Sequence, residues 1–270
     1  ILMKRKFVYP LLVVIFTLAW FAFEEYMHKV VDAPVVAKGK QPKANTNVSL
    51  LPSSTTDQIV HHEFYSLSYS EEDEQAEWVA YELKKEHIVN SNFQRPYFEV
   101  DPQVETISAH WRNYKNSGYD RGHLCPAGDR GFSKGAFNET FLTSNITPQR
   151  HDFNAGIWNR LEHQVRYWAK RYDGVYVITG GVLKDKIGAI GSEGVTVPES
   201  FYKIIYDAKR GEGKMLAFLL NHVESSRNLT SITTTVDEIE KLTGIDFFHN
   251  LEDDIESRLE ASLELSQWEF

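Results

Sequence analysis

The residues best suited to chemistry lie in one stretch of the chain, which opens with Asp120, Arg121, Gly122 and His123. Histidine is the side chain that most readily exchanges a proton near neutral pH, and arginine holds an oxyanion with a planar fork of N–H groups. Gly122 allows the backbone to approach a ligand closely. Taken alone, this tetrapeptide indicates little, because a single histidine is more often a core or surface residue than a catalytic base.

A second polar group follows on a segment with helical periodicity. Its spacing predicts a helix from about Phe153 to Tyr172, and Asn154 and Glu162 stand near one face of it, at positions i and i+8. Both can be ordinary helix-terminal and surface residues. Alternatively they serve a ligand, since burying an unpaired amide costs about 1–3 kcal/mol and a hydrated cation is one partner that removes this cost. The apolar face between them consists of Ile157, Trp158, Leu161, Val165, Trp168 and Ala169.

The elements that must position these residues are mostly strands. Glycines at 188, 191 and 194 predict a loop between two of the strands, and residues 236–243 predict a helix that ends at Gly244. Strands outnumber helices, so the pattern predicts an α+β domain. The apolar runs of strand length, of which the first two suggest a hairpin, are residues 64–69, 78–83, 175–180, 201–206 and 214–220.

The N-terminal segment has the composition of an export signal. Three basic residues, Lys4 to Lys6, precede an uncharged apolar run from Phe7 to Phe23, which is at the short end of what spans a bilayer. Residues 1–31 are therefore predicted to be a membrane signal anchor or a cleaved signal peptide. Positive charge before the run predicts that the domain lies on the outer side of the membrane, in a bacterial periplasm or at the cell exterior, or is secreted after cleavage.

The remaining boundaries follow from composition. Residues 32–60 are rich in Pro, Ser, Thr and Asn and are predicted to form a flexible linker. The domain itself is predicted over residues 61–250, followed by an acidic tail over residues 251–270 that carries some helical spacing.

Charge is segregated along the chain. The formal net charge of −9 argues against a polyanionic partner, but 10 Lys/Arg stand against 5 Asp/Glu between His110 and Tyr172. The acidic excess lies instead in the C-terminal part, and a local basic surface can attract polyanions even on an acidic protein. The single cysteine, Cys125, excludes an intrachain disulfide.

Together, a base, an arginine, a helix-borne amide and a carboxylate are what metal-assisted phosphodiester hydrolysis requires. The stretch resembles the DNA/RNA non-specific endonuclease family of ββα-metal, or His-Me finger, nucleases. That family's Asp-Arg-Gly-His signature matches residues 120–123 without change. Its spaced Asn-Gln-Asn-Trp-Glu pattern matches Asn145, Gln149, Asn154, Trp158 and Glu162.

The resemblance implies a role for each matched residue. His123 would be the general base, Asn154 the protein ligand of Mg²⁺, which Mn²⁺ can replace, and Glu162 would hold metal-bound water. Asn145 and Arg121 would orient the site, and Arg95 is the best match to a further family arginine.

The resemblance also implies a fold, a reaction and partners. The fold would be a central, mostly antiparallel sheet flanked by helices, with an inserted ββα-metal finger. The N-terminal apolar helix is expected outside this domain because of its composition and its place at the chain terminus. The substrates would be single- or double-stranded DNA and RNA, the products would carry 5′-phosphates, and the protein could form a homodimer. Two alternatives remain: a catalytically silent nucleic-acid-binding module, and a phosphodiesterase acting on another phosphate ester.

Overall fold

The computed structural model describes residues 16–22, 50–209 and 213–270. The chain divides into two units, Ile1–Gly39 and Lys40–Phe270. In the first unit, residues 16–22 form helix α1, whose apolar side chains are exposed. None of the described helices is both long and apolar enough to cross a bilayer. Most of the predicted apolar run from Phe7 to Phe23 lies outside the described residues.

The second unit is built on a large antiparallel sheet, which confirms the predicted α+β class. Seven strands pair in the order β1-β2-β3-β6-β9-β10-β11, and every pairing between them is antiparallel. Two further pairs, β4 with β5 and β7 with β8, form separate two-stranded sheets. The strands are Ile59–His61 (β1), Ser66–Ser70 (β2), Gln75–Leu83 (β3), Asp120–His123 (β4), Ile146–Gln149 (β5), Val175–Gly181 (β6), Lys186–Ile190 (β7), Val195–Pro198 (β8), Ser200–Asp207 (β9), Lys214–Asn221 (β10) and Thr233–Thr234 (β11).

The large sheet is buried on both faces, which explains why its central strands read as nearly continuous apolar runs. Along β9, Phe201 and Ile205 belong to one core cluster, whereas Tyr202 and Ile204 belong to another, as the two-residue period of a strand requires. The first cluster includes the apolar face of the long helix, and the second includes residues of the two C-terminal helices. The helices of this unit are Lys134–Glu139 (α2), His151–Phe153 (α3), Asn159–Arg171 (α4), Val236–Thr243 (α5) and Asp253–Glu260 (α6).

The predicted long helix is present but is not uniform. A π-helical turn, Asn154–Trp158, joins α3 to α4, and within it Gly156 has a non-helical backbone (φ −93°, ψ −110°). The helical region therefore begins at His151, two residues before the predicted start. A wide turn of this kind holds one more residue than an α-turn, and such turns occur frequently at functional sites.

One other expectation from the sequence differs from the structure, and another is confirmed. The glycine-marked segment over 188–194 is not a plain loop but the hairpin of β7 and β8, in which Gly191 and Gly194 take the positive φ angles of 71° and 78° that a tight turn requires. By contrast, the predicted helix over residues 236–243 is found as α5, and Gly244 ends it in the left-handed conformation.

The folded unit also extends beyond the predicted limits of residues 61–250. Leu50 and Leu51 are buried in the second core cluster, and β1 begins at Ile59, so residues 50–60 belong to the domain and not to a linker. In the acidic tail, Leu259 and Trp268 are buried in the core. The tail therefore belongs to the folded unit, because its apolar residues can be withdrawn from water only by packing on the domain.

Candidate functional site

The signature residues form a hairpin that leads directly into the helix. Asp120–His123 is strand β4, which pairs antiparallel with β5 so that Asp120 lies opposite Gln149 and His123 opposite Ile146. A single residue, Arg150, separates β5 from α3. Two strands and the helix that follows thus bring Asp120 of the signature beside Asn154 of the helical region.

Gly122 is the residue that lets the hairpin close. A Cβ atom at this position would meet the side chain of Gln149, with Cγ at 2.6 Å. Gln149 is completely buried, so it has no room to move aside. A larger residue at position 122 would therefore push apart the strands that carry Asp120 and His123.

Asp120 joins the strand to the helix through hydrogen bonds. Its Oδ2 accepts one from Asn154 Nδ2 at 3.0 Å and lies 2.9 Å from His151 Nδ1. This arrangement fixes the amide of Asn154 with its nitrogen toward Asp120. The carbonyl oxygen, Oδ1, is the atom left to accept a hydrogen bond or a cation.

His123 is partly buried against two aromatic side chains. Its ring lies 5.7 Å from Phe98 and 5.1 Å from Phe141, measured between ring centroids. Nε2 is buried and has no hydrogen-bond partner among the described residues. Burial and, to a smaller extent, the positive charge of Arg95 lower the pKa of His123 to about 3. The imidazole is therefore uncharged at neutral pH and able to accept a proton.

Two arginines belong to the same neighbourhood. Arg95 is exposed, and its effect on His123 places its charge near the imidazole. Arg121 lies with its guanidinium 5.2 Å from the centre of the Phe98 ring, and its Nε is buried without a partner among the described residues. Phe98 thus lies against both His123 and Arg121, a role that nothing in the sequence pattern indicated.

The side-chain amide of Asn145 forms hydrogen bonds only to backbone atoms. Its Oδ1 accepts a hydrogen bond from Cys125 N at 2.8 Å, and its Nδ2 donates to the carbonyl oxygens of Cys125 and Thr140 at 3.0 and 2.9 Å. The side chain is completely buried. Asn145 therefore fixes the chain that leaves β4 just after His123, and both ends of its amide are engaged there.

The π-turn alters the relation between Asn154 and Glu162. In a regular helix, eight residues would rotate Glu162 about 80° away from Asn154. The π-turn changes that angle, because it holds one more residue than an α-turn and because Gly156 within it leaves the helical conformation.

Glu162 lies in a cluster of buried charges that the sequence did not reveal. Its Oε2 is 3.8 Å from Arg166 Nη1, which donates to Asp129 Oδ1 at 2.8 Å. Burial raises the pKa of Glu162, which the charge of Lys203 opposes, and burial lowers the pKa of Lys203. Lys203 Nζ lies 4.4 Å from the centre of the Trp158 ring. The available signals were a lysine within the apolar run 201–206 and the i,i+4 spacing of Glu162 and Arg166.

Cys125 has no role in chemistry by this geometry. The thiol is completely buried, and burial raises its pKa to about 12. Since a thiolate is the reactive form of cysteine, Cys125 stays inert at neutral pH and packs in the core.

The structure thus places Asp120, Arg121, His123 and Asn154 on one hairpin-helix unit, and Arg95 reaches the neighbourhood of His123 from the segment before the hairpin. Glu162 follows on the same helix beside its own ionic cluster, and Asn145 supports the strand from behind. These groups offer an uncharged base, an oxygen ligand, two cations and a carboxylate of raised pKa.

Comparison with known proteins supports one family for this chain. The family described as DNA/RNA non-specific endonuclease matches residues 43–254. The mitochondrial nuclease EXOG of Xenopus laevis is 32% identical over 239 residues, which cover 82% of this chain and 66% of that protein. Human mitochondrial endonuclease G is 30% identical over 209 residues, covering 72% and 70%. Nuclease C1 of Cunninghamella echinulata is 30% identical over 229 residues, covering 78% and 90%.

A solved structure shows a similar fold. The crystal structure of the EndoG/EndoGI complex, described as showing the mechanism of EndoG inhibition, matches with a TM-score of 0.66 and 28% identity. The match covers 72% of this chain and 86% of that one. Among the EXOG relatives from frog, zebrafish, human and mouse, the matched region spans between 56% and 66% of the relative's length.

Proposed function

The chain belongs to the DNA/RNA non-specific endonuclease family, and on that premise we propose that it hydrolyses phosphodiester bonds within DNA and RNA with little sequence preference. The observation that carries the proposal is that strand β4 holds both an uncharged His123 and the Asp120 that orients the amide of Asn154. The β4–β5 hairpin and the helix after it then form the ββα-metal finger.

Mg²⁺ is the proposed cofactor, with Mn²⁺ as a substitute, and the donor atoms fit it. Asn154 Oδ1 is free of the hydrogen bond that holds Nδ2, and an oxygen donor is what Mg²⁺ prefers. Bound at Asn154, the ion would supply positive charge to the scissile phosphate and its leaving oxygen. Asp120 keeps the amide oxygen turned away from itself, and its own negative charge favours a cation nearby.

His123 is the proposed general base. Desolvation and Arg95 keep its imidazole uncharged, so it can take a proton from the attacking water without first losing one. Because Nε2 is buried and the side chain is partly exposed, we expect Nδ1 to receive that proton. The rings of Phe98 and Phe141 hold the imidazole in place meanwhile.

The remaining residues act on charge and position. Arg121 and Arg95 would stabilise the negative charge that builds up on the phosphate in the transition state. Glu162, with its raised pKa, would hold water at the cation through its carboxyl group. Asn145 acts as a positioning residue through its hydrogen bonds to Cys125 and Thr140. The products would carry a 5′-phosphate and a 3′-hydroxyl.

A cleavage assay on the full chain tests the proposal. Supercoiled plasmid, RNA and a small phosphodiester are each incubated with Mg²⁺, with Mn²⁺ and with EDTA. We expect DNA and RNA to be degraded with either metal and to stay intact with EDTA. Cleavage that survives the chelator would exclude the metal role, and hydrolysis of the small ester alone would favour another phosphodiesterase.

The His123→Ala variant tests the base. We expect it to lose at least 100-fold in cleavage rate, as general-base residues supply roughly 10²–10⁴-fold. His249→Ala is the matched control, because His249 is exposed and lies outside this site. Tight, salt-sensitive binding to DNA without cleavage by the unaltered chain would instead support a silent binding module.

Membrane attachment through the run from Phe7 to Phe23, with the domain on the outer side of a bacterial membrane or secreted, stays a prediction, as does a homodimer. The EXOG and endonuclease G relatives are described as mitochondrial, which offers a different location to compare. Membrane fractionation of cells that express the full chain, followed by size-exclusion chromatography of the purified protein, would test both predictions.

A further inference from the structure

A second cluster of ionisable side chains lies between α5 and α6, apart from the residues assigned to the nuclease site. Asp237 and Glu240 stand three residues apart on α5, so they share one face of that helix, and Glu260 is the last residue of α6. One carboxylate oxygen from each of the three lies within 4.8 Å of the others. Three negative groups held this close repel one another unless something positive lies between them.

Glu260 is the member that needs a partner most. It is only 5% exposed, and its Oε1 is buried without a hydrogen-bond partner in the described part of the chain. The nearby ammonium of Lys241 pairs with Glu238 at 2.6 Å instead. Within residues 50–209 and 213–270, no ion pair reaches Asp237, Glu240 or Glu260. A buried carboxylate in this state is costly, and proteins normally pair it or place it on a metal.

The surroundings add to the negative potential at Glu260. Burial and, to a smaller extent, four neighbouring acids raise the pKa of its carboxyl group to about 8; the acids are Glu240, Glu256, Asp246 and Asp237. Glu260 also stands at the C-terminal end of a helix, where the helix dipole already disfavours an anion. Glu260 therefore lacks a positively charged partner among the described residues.

We propose that Asp237, Glu240 and Glu260 bind a hard divalent cation of the Ca²⁺ class, which fastens α6 to α5. Ca²⁺ accepts carboxylate oxygens at about 2.3–2.6 Å, so oxygens on opposite sides of one ion lie about 5 Å apart, which agrees with the spacing of the cluster. The donors are all oxygen, whereas Zn²⁺ favours nitrogen and sulfur. Water would complete the coordination, since Asp237 and Glu240 are partly exposed.

This site would give the acidic C-terminal segment a definite role. Residues 251–270 carry seven Asp/Glu against one Arg, and the cation would bind α6 to the domain through Glu260 of this segment. The proposal does not depend on the nuclease reaction. Its test therefore measures Ca²⁺ binding and thermal stability instead of nucleic-acid cleavage.

The test uses the full chain carrying Asn154→Ala, which removes the ligand proposed for the catalytic Mg²⁺. Calorimetric titration with Ca²⁺ should show one ion bound per chain. Ca²⁺ at about 100 times its dissociation constant should raise the thermal midpoint by roughly 5 °C. Adding Glu260→Gln, or Asp237→Asn as a second variant should the first fail to fold, should abolish both effects.

Glu238→Gln on the same background is the matched control, since it removes one negative charge from α5 at an exposed position outside the cluster. It should bind Ca²⁺ as the background does. The proposal is overturned if the background binds no Ca²⁺, or if Glu260→Gln raises the midpoint without metal while Ca²⁺ has no effect on either protein. That result would mean that the carboxyl groups share a proton and hold no ion.

Discussion

At the scale of single residues, the candidate site depends on which atoms are left free. Asp120 accepts a hydrogen bond from Asn154 Nδ2 and so leaves Asn154 Oδ1 free for the proposed cation, while Asn145 has both ends of its amide engaged by the backbone. These two asparagines look alike in sequence but have different hydrogen-bond partners. The buried position of His123 keeps its imidazole uncharged, which is the form that can accept a proton.

The role of Asp120 can be tested with Asp120→Asn. We expect the Mg²⁺ concentration for half-maximal cleavage to rise about 10- to 100-fold, because groups that orient a metal ligand typically contribute that much to affinity. The cleavage rate at saturating Mg²⁺ should change less. The control is Asp152→Asn, since Asp152 is an exposed acid near Asn154 in the helical region, and its Oδ1 accepts a hydrogen bond from Phe153 N and not from Asn154. Equal Mg²⁺ dependence in both variants would remove Asp120 from this role.

At the scale of elements, two local irregularities create the site. The hairpin of β4 and β5 can close only over a glycine, and the helix after it contains a π-turn at Asn154–Trp158. The turn therefore changes the angle between Asn154 and Glu162 around the helix axis from that of a regular helix.

Gly122→Ala tests the fit of the hairpin. We expect the free energy of unfolding to fall by about 2 kcal/mol or more, because the new methyl group would overlap the buried side chain of Gln149. Cleavage should fall as well, since the overlap displaces β4. Gly135→Ala is the control: its Cβ would lie 3.6 Å from Ser133 Oγ, an ordinary contact at an exposed helical position. Denaturant unfolding of both variants measures the difference, and equal stability would contradict the packing argument.

At the scale of the whole domain, the large sheet is covered on both faces by core clusters. The C-terminal residues complete the cover on the side of the long helix. Trp268 packs edge-on against Trp168, with 4.9 Å between ring centroids, and Trp168 Nε1 donates to the carbonyl oxygen of Glu269 at 2.6 Å. The acidic tail is thus part of the fold and supports the helix that carries Glu162.

Trp268→Ala tests this support. We expect it to lower the free energy of unfolding by about 3 kcal/mol, which is typical of removing a buried aromatic side chain. Leu263→Ala, at a position 45% exposed in the same segment, should change it by less than about 0.5 kcal/mol. Thermal or urea unfolding compares them. A Trp268→Ala protein as stable as the Leu263→Ala protein would show that the tail does not support the domain.

The sequence by itself determined the class of fold, the five main strands of the sheet, helix α5 with its glycine cap, and the residues that match the nuclease family. These are set by local periodicity, turn chemistry and a short signature, all of which can be read along the chain. The structure alone decided the π-turn, the apposition of Asp120 and Asn154, the Lys203–Glu162 neighbourhood and the packing of the tail. Each of these depends on contacts between residues that are distant in sequence. The burial that such contacts create lowers the pKa of His123 and raises the pKa of Glu260.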